Sequence, residues 1–342
     1  MDDIIIDNTE LLNRIRGCFF GCAVGDAFGA AGEFGHRRPE EDSSKQITTM
    51  LPVKHFKLPA GSWTDDTSMM LCLAESIVKY GYFDHRTTMK LYLQWLARGH
   101  NSVTGYAFDV GNTCRRAIVE YSTKGYLPAR TADEYCQSNG CIMRLAPVPI
   151  FYAYDCNEAA QMSGESALTT HAHPVCKRTT ELFGWLLAAA IGADLYGPRS
   201  KDELLHFKGA PAWLLEGYEP TVGKPDLSAL RPVINGDYLN KVRTDLDSTG
   251  YVVAGLETAL WVFAHTTNFR DGLVYIVNLG GDSDTLGAIY GMLAGAYYGY
   301  DSIPGEWYDA LQGKDILNAV WSPFIKSVFE LNDDHYENIM NK

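Results

Sequence analysis

Apolar residues recur at helical spacing through most of the chain. In TSMMLCLAESIVKYG (67–81), Met70, Leu71, Leu73, Ile77 and Val78 fall at the intervals of a helix face. Residues 176–197 are apolar almost throughout their centre, and 251–267 and 284–299 read the same way. Such helices have to pack on one another. The stretch 315–331 predicts a closing helix, with Pro323 marking a break or a helix start. CIMRLAPVPIFYAY (141–154) is ambiguous between helix and strand. Sustained period-two alternation and hairpin signals are missing. The pattern predicts an all-α fold with residues 1–342 as a single domain. Two loop-rich segments interrupt it, 34–62 and 199–249; the second is rich in Pro and Gly and reads as a surface insertion or a lid.

One helical stretch is unusual. GCFFGCAVGDAFGAAGE (17–33) places Gly17, Gly21, Gly25 and Gly29 on one stripe. In a bilayer that stripe would be a helix-dimerisation face. The apolar run is shorter than the roughly 20 residues a span needs, and Asp26 would be costly in lipid. The stripe therefore predicts a helix whose missing side chains admit a neighbouring helix at very short range. Glycine costs about 1 kcal/mol against alanine at each helix position, so four of them imply a packing need. Asp26 and Glu33, seven residues apart, share a helix face. Asp26 is expected to be buried and structural, behind the site rather than in it.

Composition narrows the class. The chain has 342 residues, 46% hydrophobic and 21% charged, and a net charge of −13. That is globular composition, and its acidity argues against a general nucleic-acid binder. The acidic start, MDDIIIDNTE, lacks the basic end and apolar core of a signal peptide, so a cytoplasmic location is the expectation. The eight cysteines form no C-x-x-C pair and read as reduced core residues.

Two blocks carry chemistry. TDDT (Thr64, Asp65, Asp66, Thr67) and GGDSDT (Gly280 to Thr285) each join two carboxylates to a threonine hydroxyl at a loop-to-helix junction. One such block is ordinarily a helix cap. Two of them gather carboxylates that repel unless protons or cations intervene. Hard oxygen donors suit Mg²⁺, Mn²⁺ or Ca²⁺. The second block lacks the later glycine and glutamate of an EF-hand loop.

With these blocks in view the chain resembles the ADP-ribosylglycohydrolases. The resemblance runs from about residue 14 to about 310. It rests on GCAVGDAFGAAGE, GSWTDDTSM, FDVGNTCRRAI, SNGCIMRLAPV, LTTHAHP, DSTGYVVAGLETALW and NLGGDSDTLGAIYGMLAGAYYG, in the family's order. FDVGNTCRR and the last block resemble the dinitrogenase-reductase-activating and ADP-ribosylarginine hydrolase branch. The resemblance implies a compact orthogonal helical bundle with a central di-metal cleft. Its two divalent cations, Mg²⁺ or Mn²⁺, would be held by Thr64, Asp65, Asp66, Asp282, Asp284 and Thr285, with Asp284 as the bridge.

Glu33 and Asp109 match the family's acidic residues at the reaction centre, and Glu33 and Asn112 lie at its substrate. Ser138, Asn139, Gly140 and Cys141 match its phosphate-cradling loop, and His171 and Tyr251 match contacts to ADP-ribose. Arg115, Arg116 and Arg144 fit either phosphate contact or pairing with carboxylates. The loop departs from the family's G-N-G-[SA] at Ser138, which restricts backbone approach. The 199–249 segment is longer than in compact members and stands to alter the entrance.

The implied activity is metal-dependent hydrolysis of the bond between ADP-ribose and a protein arginine, reversing mono-ADP-ribosylation. The implied partners are an ADP-ribosylated protein or a small ADP-ribose conjugate, with no membrane and no nucleic acid, and the expected state is a monomer. Other ADP-ribose conjugates (serine-linked, O-acetyl-ADP-ribose or an α-linked metabolite) form the alternative within enzymes. A non-catalytic ADP-ribose-binding or structural role forms the alternative outside them.

Overall fold

A computed structural model describes residues 8–125, 134–192, 200–220 and 223–340. The acidic first seven residues, and positions 199, 221 and 222 of the expected insertion, lie outside the described residues.

The described residues form fifteen α-helices. They begin with α1 Asn8–Gly29, α2 Asp65–Tyr80, α3 His85–Arg98, α4 Asn112–Lys124, α5 Pro147–Phe151, α6 Cys156–Ala167 and α7 Pro174–Ile191. Three short helices follow, α8 Lys201–Leu205, α9 Ala212–Leu215 and α10 Arg231–Ile234. The last five are α11 Val252–His265, α12 Phe269–Val277, α13 Ser283–Tyr298, α14 Gly305–Ala310 and α15 Lys314–Met340. Among the described residues there is no β-strand, and the antiparallel bridges are Val53 with Leu58 and Ser138 with Tyr251. The all-α reading is the observed fold.

The ambiguous 141–154 stretch resolves into a 3₁₀ turn at Asn139–Cys141 and the short helix α5, opened by Pro147. Proline at a first helical turn loses no hydrogen bond. Pro323, by contrast, neither starts nor ends a helix. It sits inside α15, where the buried Val320, Phe324 and Val328 hold both sides of it against the core. Packing outweighs the lost N–H donor there. All eight cysteines are unpaired, seven of them buried and Cys156 half-buried. No described helix is long and apolar enough to cross a membrane.

The centre of the fold is the pair α1 and α13. The stripe on α1 meets a second stripe on α13, running in the opposite direction. A Cβ added at Gly17 would lie 2.0 Å from the Gly295 carbonyl oxygen, at Gly21 2.2 Å from that of Gly291, and at Gly25 2.0 Å from that of Gly287. Gly29 meets Ser283 in the same way, at 2.2 Å. The two backbones touch directly, which leaves room for no side chain at these positions and brings Cα–H groups against carbonyls. Antiparallel packing sets the C-terminal end of α1 beside the N-terminal end of α13. The chain leaves α1 through a 3₁₀ turn at Ala30–Gly32 and reaches Glu33. Helix α13 opens with Asp282, Asp284 and Thr285. The glycine contact thus joins Glu33 to residues about 250 positions away.

Candidate active site

A cleft of about 610 Å³ opens where the N-terminal ends of α2, α4 and α13 converge with the end of α1. Glu33, Asp65, Asp109, Asn112, Ser138, Asn139, Gly140, Asp282, Asp284 and Thr285 line it. Helix N-termini carry partial positive charge and free N–H groups, so they are favourable places to gather carboxylates. Asp65 and Asp66 occupy the first turn of α2, Asp282 caps α13, and Asp284 lies in its first turn.

Asp26 explains why TDDT is held so firmly. It is fully buried. Its carboxylate accepts from the Thr64 N–H at 2.9 Å and the Thr64 hydroxyl at 3.0 Å. It also accepts from the Thr67 N–H at 3.0 Å and the Thr67 hydroxyl at 2.6 Å. Asp26 therefore caps α2 from another helix, as the expected structural role requires. Burial pushes its carboxyl up to about 6, against the pull of these donors. Asp26→Asn would turn an amide N–H₂ toward groups that mostly donate. It is expected to destabilise the fold by about 2–3 kcal/mol, read as a lowered midpoint in urea unfolding.

The remaining carboxylates have too few donors. Asp66 Oδ1, Asp109 Oδ2 and Asp284 Oδ1 are buried and accept no hydrogen bond. Carboxylate oxygens gather in two clusters, Asp26–Asp66–Asp284 and Glu33–Asp109–Asp284, each with its oxygens within 4.8 Å of one another, and Asp284 belongs to both. The Thr64 hydroxyl sits 2.9 Å from Asp66 Oδ2 and 3.4 Å from Asp284 Oδ2. Burial, and then repulsion from Glu33, Asp66 and Asp282, drives Asp284 well above the carboxylate range. Asp65 and Asp66 are raised for the same reasons. Glu33 is pushed up to about 10 by burial and by Asp109 beside it, though His55 Nε2 lies 3.1 Å from its Oε2. Asp109 and Asp282 are raised as well, chiefly by burial. Orphaned buried oxygens on mutually repelling carboxylates are the donor set that hard divalent cations complete. The residues present fit such ions.

The opposite wall is the Ser138–Gly140 loop. The Asn139 amide donates to Asp282 Oδ2 at 2.6 Å, and the Asn139 N–H donates to the Gly250 carbonyl at 2.9 Å. The loop is therefore tied both to the acidic cluster and to the start of α11. Gly280 and Gly281 have positive φ, 72° and 68°. A side chain at Gly281 would run into the Ser248 carbonyl, 2.2 Å away.

Several expected substrate contacts lie elsewhere. Cys141 is fully buried beneath the loop. His171 is also fully buried, behind Gly140, with its ring bonded to Ser138 and Thr170. Tyr251 is the residue before α11 and lines a separate depression with Gln137, His173 and Pro225. Arg144 is buried, and its guanidinium meets Met69, Cys114, Thr169 and Thr170 rather than carboxylates.

Sequence reasoning did not pick out Ser248, Thr249 and Gly250, which line the cleft directly. Their adjacency to Tyr251 in DSTGY was the available signal. It also missed Phe34, which lines the cleft with a left-handed backbone, φ 58°. Nothing in the pattern around either Phe34 or His55 marks them.

The family model for ADP-ribosylglycohydrolase matches residues 7–338. The chain belongs to the ADP-ribosylglycohydrolase family, a family of glycosidic-bond hydrolases. It is 36% identical over 324 residues to ADP-ribosylarginine hydrolase Tri1 of Pseudomonas putida, covering 93% of this chain and 77% of that protein. It is 31% identical over 310 residues to the ADP-ribosyl-[dinitrogen reductase] glycohydrolase of Rhodospirillum rubrum, covering 88% and 91%. A solved structure titled ADP-ribosylglycohydrolase-related protein complex superposes with a TM-score of 0.76 at 34% identity, over 94% of this chain and 99% of that one. The ADP-ribosylglycohydrolase fold thus places α1 and α13 at its centre in this chain, with the acidic cleft at their shared end.

Proposed function

We propose that this ADP-ribosylglycohydrolase hydrolyses the N-glycosidic bond between ADP-ribose and a protein arginine, using two divalent cations, Mg²⁺ or Mn²⁺. The observation that carries the reading is Asp284, common to two clusters of buried carboxylates and keeping an unsatisfied oxygen at the floor of the cleft. The names of the relatives above support the arginine linkage.

Thr64, Asp65, Asp66, Asp282, Asp284 and Thr285 would hold the cations. When bound, such ions offset the clustered charge and supply sites for sugar hydroxyls and a water. Asp109 and Glu33, on the same wall, would orient the attacking water and take its proton. Nearby carboxylates favour the positive charge that develops at the anomeric carbon. The C–N bond breaks with its electron pair going to the guanidine, which recovers the proton, and the water oxygen ends on the sugar. The Ser138–Gly140 loop holds the rest of ADP-ribose in register, and the 199–249 segment shapes the entrance through Ser248 and Thr249. The protein works as a monomer in the cytoplasm.

Arginine-ADP-ribosylated protein incubated with Mg²⁺ or Mn²⁺ is expected to release free ADP-ribose, and a chelator is expected to stop the release. Release undiminished by chelation would remove the cations from the reading. Turnover of serine-linked or O-acetyl-ADP-ribose conjugates alone would move the substrate. Tight ADP-ribose binding in calorimetry, with no conjugate turned over, would make the protein a binder.

A further inference from the structure

Behind the Ser138–Gly140 loop lies a chain of polar groups that the reaction does not use. It starts at Arg144, a residue only 1% exposed. Arg144 Nη1 faces sulfur, Cys114 Sγ at 3.5 Å and Met69 Sδ at 3.7 Å, and the guanidinium stacks over the Tyr92 ring at 4.8 Å. Arg144 Nη2 donates to Thr169 Oγ1 at 3.1 Å and to Thr170 Oγ1 at 2.6 Å. Thr170 Oγ1 is 2.8 Å from His171 Nδ1, and His171 Nε2 is 2.7 Å from Ser138 Oγ. Ser138 lines the cleft.

Donor bookkeeping gives this chain a direction. A guanidinium donates and never accepts, so Thr170 Oγ1 accepts a hydrogen bond from Arg144. Its own single proton is then available to His171 Nδ1. Burial and the nearby Arg144 charge favour His171 in its neutral form, so the ring carries one N–H, which sits at Nε2 if Thr170 donates to Nδ1. That N–H donates to Ser138 Oγ. The Ser138 hydroxyl, having accepted there, keeps its own proton for the cleft.

We propose that Arg144, Thr170 and His171 are positioning residues that polarise Ser138, so that its hydroxyl presents a donor to an anionic or hydroxyl oxygen of the bound ligand. Serine where the family pattern has glycine is, on this account, an added contact. The ligand's identity as ADP-ribose rests on the reading above; the direction of the chain does not. A permanent buried cation keeps Thr170 Oγ1 an acceptor toward Arg144 at every pH at which the protein is folded. Short, charge-aligned hydrogen bonds of this kind strengthen one another.

The decisive measurement is the tautomer of His171 by ¹⁵N NMR on the full-length wild-type protein. A neutral ring protonated at Nε2, with Nδ1 as the acceptor, is expected. A ring protonated at Nδ1 would overturn the proposal. In that arrangement Thr170 turns its proton to the neighbouring Cys114 thiol, and Ser138 spends its own on His171. Ser138→Ala is expected to weaken ADP-ribose binding by about tenfold in calorimetry. Thr170→Val is expected to mix the two tautomers and weaken binding similarly, and Thr170→Ser to restore both. Unchanged tautomer and affinity in Thr170→Val would remove Thr170 from the chain. If Thr170→Val does not fold, the wild-type tautomer decides. A wild-type protein with the Nε2 proton but no affinity for ADP-ribose would instead count against the proposed substrate.

Discussion

Asp284→Asn is expected to abolish ADP-ribose release while leaving the metal-free protein more stable than the wild type. The two effects have one cause. Asp284 shares both carboxylate clusters and is buried at the cleft floor, and its Oδ1 accepts nothing. Without cations, its charged form is opposed first by burial and then by repulsion from Glu33, Asp66 and Asp282. Asparagine has the same shape and no charge, so it relieves that repulsion. A gain of about 1–2 kcal/mol would raise the melting temperature of the metal-free variant by about 1–3 °C. On the proposed reading the same change would also remove a ligand shared by the two cations. Several kcal/mol of electrostatic stabilisation in the reaction correspond to a loss of about a thousandfold or more in rate.

A third readout follows from linkage. Mn²⁺ or Mg²⁺ should raise the wild-type melting temperature, because only the folded protein assembles the site, and should leave the variant unmoved. A variant that still turns over, or that still gains stability from metal as the wild type does, would sink the shared-ligand account. A variant less stable than the metal-free wild type would mean that Asp284 has donors not seen in the structure.

Gly21→Ala is the second large effect, and here two physical arguments predict opposite signs. Helix propensity favours alanine by about 1 kcal/mol, so an isolated helix would be strengthened. In the fold the new methyl would stand 2.2 Å from the Gly291 carbonyl oxygen and 2.9 Å from its carbon. Those atoms belong to the backbone of α13 and cannot rotate away. The helices must separate, and the loss spreads along the whole interface, so the expected cost is about 3 kcal/mol or more. The separation also pulls Glu33 away from Asp284, so metal affinity should fall with stability. Gly291→Ala presses on the Gly21 carbonyl at 2.0 Å from the other side. The double variant should cost less than the two singles added together, because helices already apart have less contact to lose. Denaturant unfolding of the three variants checks both points. A stabilised Gly21→Ala would show that the helices are not in contact there.

The two variants probe features of different legibility. TDDT and GGDSDT are visible as carboxylates at helix starts, a local property of a few residues. The stripe on α1 is visible because its period matches the helix repeat. Its partner was equally visible in Gly287, Gly291, Gly295 and Gly299, yet no pattern says that two stripes pair, or in which direction. Asp26 and Thr64 are 38 positions apart, so the cap they make on α2 has no local signature. His171 was expected at the substrate on its motif. The fold turns it inward, where it meets Thr170 and Ser138 instead. Pro323 reads as a breaker because sequence rules count its missing donor, whereas the buried residues either side of it decide the outcome.

The sequence by itself determined the helical class, through apolar spacing that suits no other element. It also determined the chemistry available, through hard oxygen ligands grouped at two helix starts. Only the tertiary structure decided which groups meet. Direct backbone contact between α1 and α13 is short-ranged and directional, and it forces one register between helices far apart in the chain. That register puts Glu33, Asp109 and Asp284 in a single cluster, leaves Asp109 Oδ2 and Asp284 Oδ1 without donors, and so turns separate helix starts into one acidic cleft.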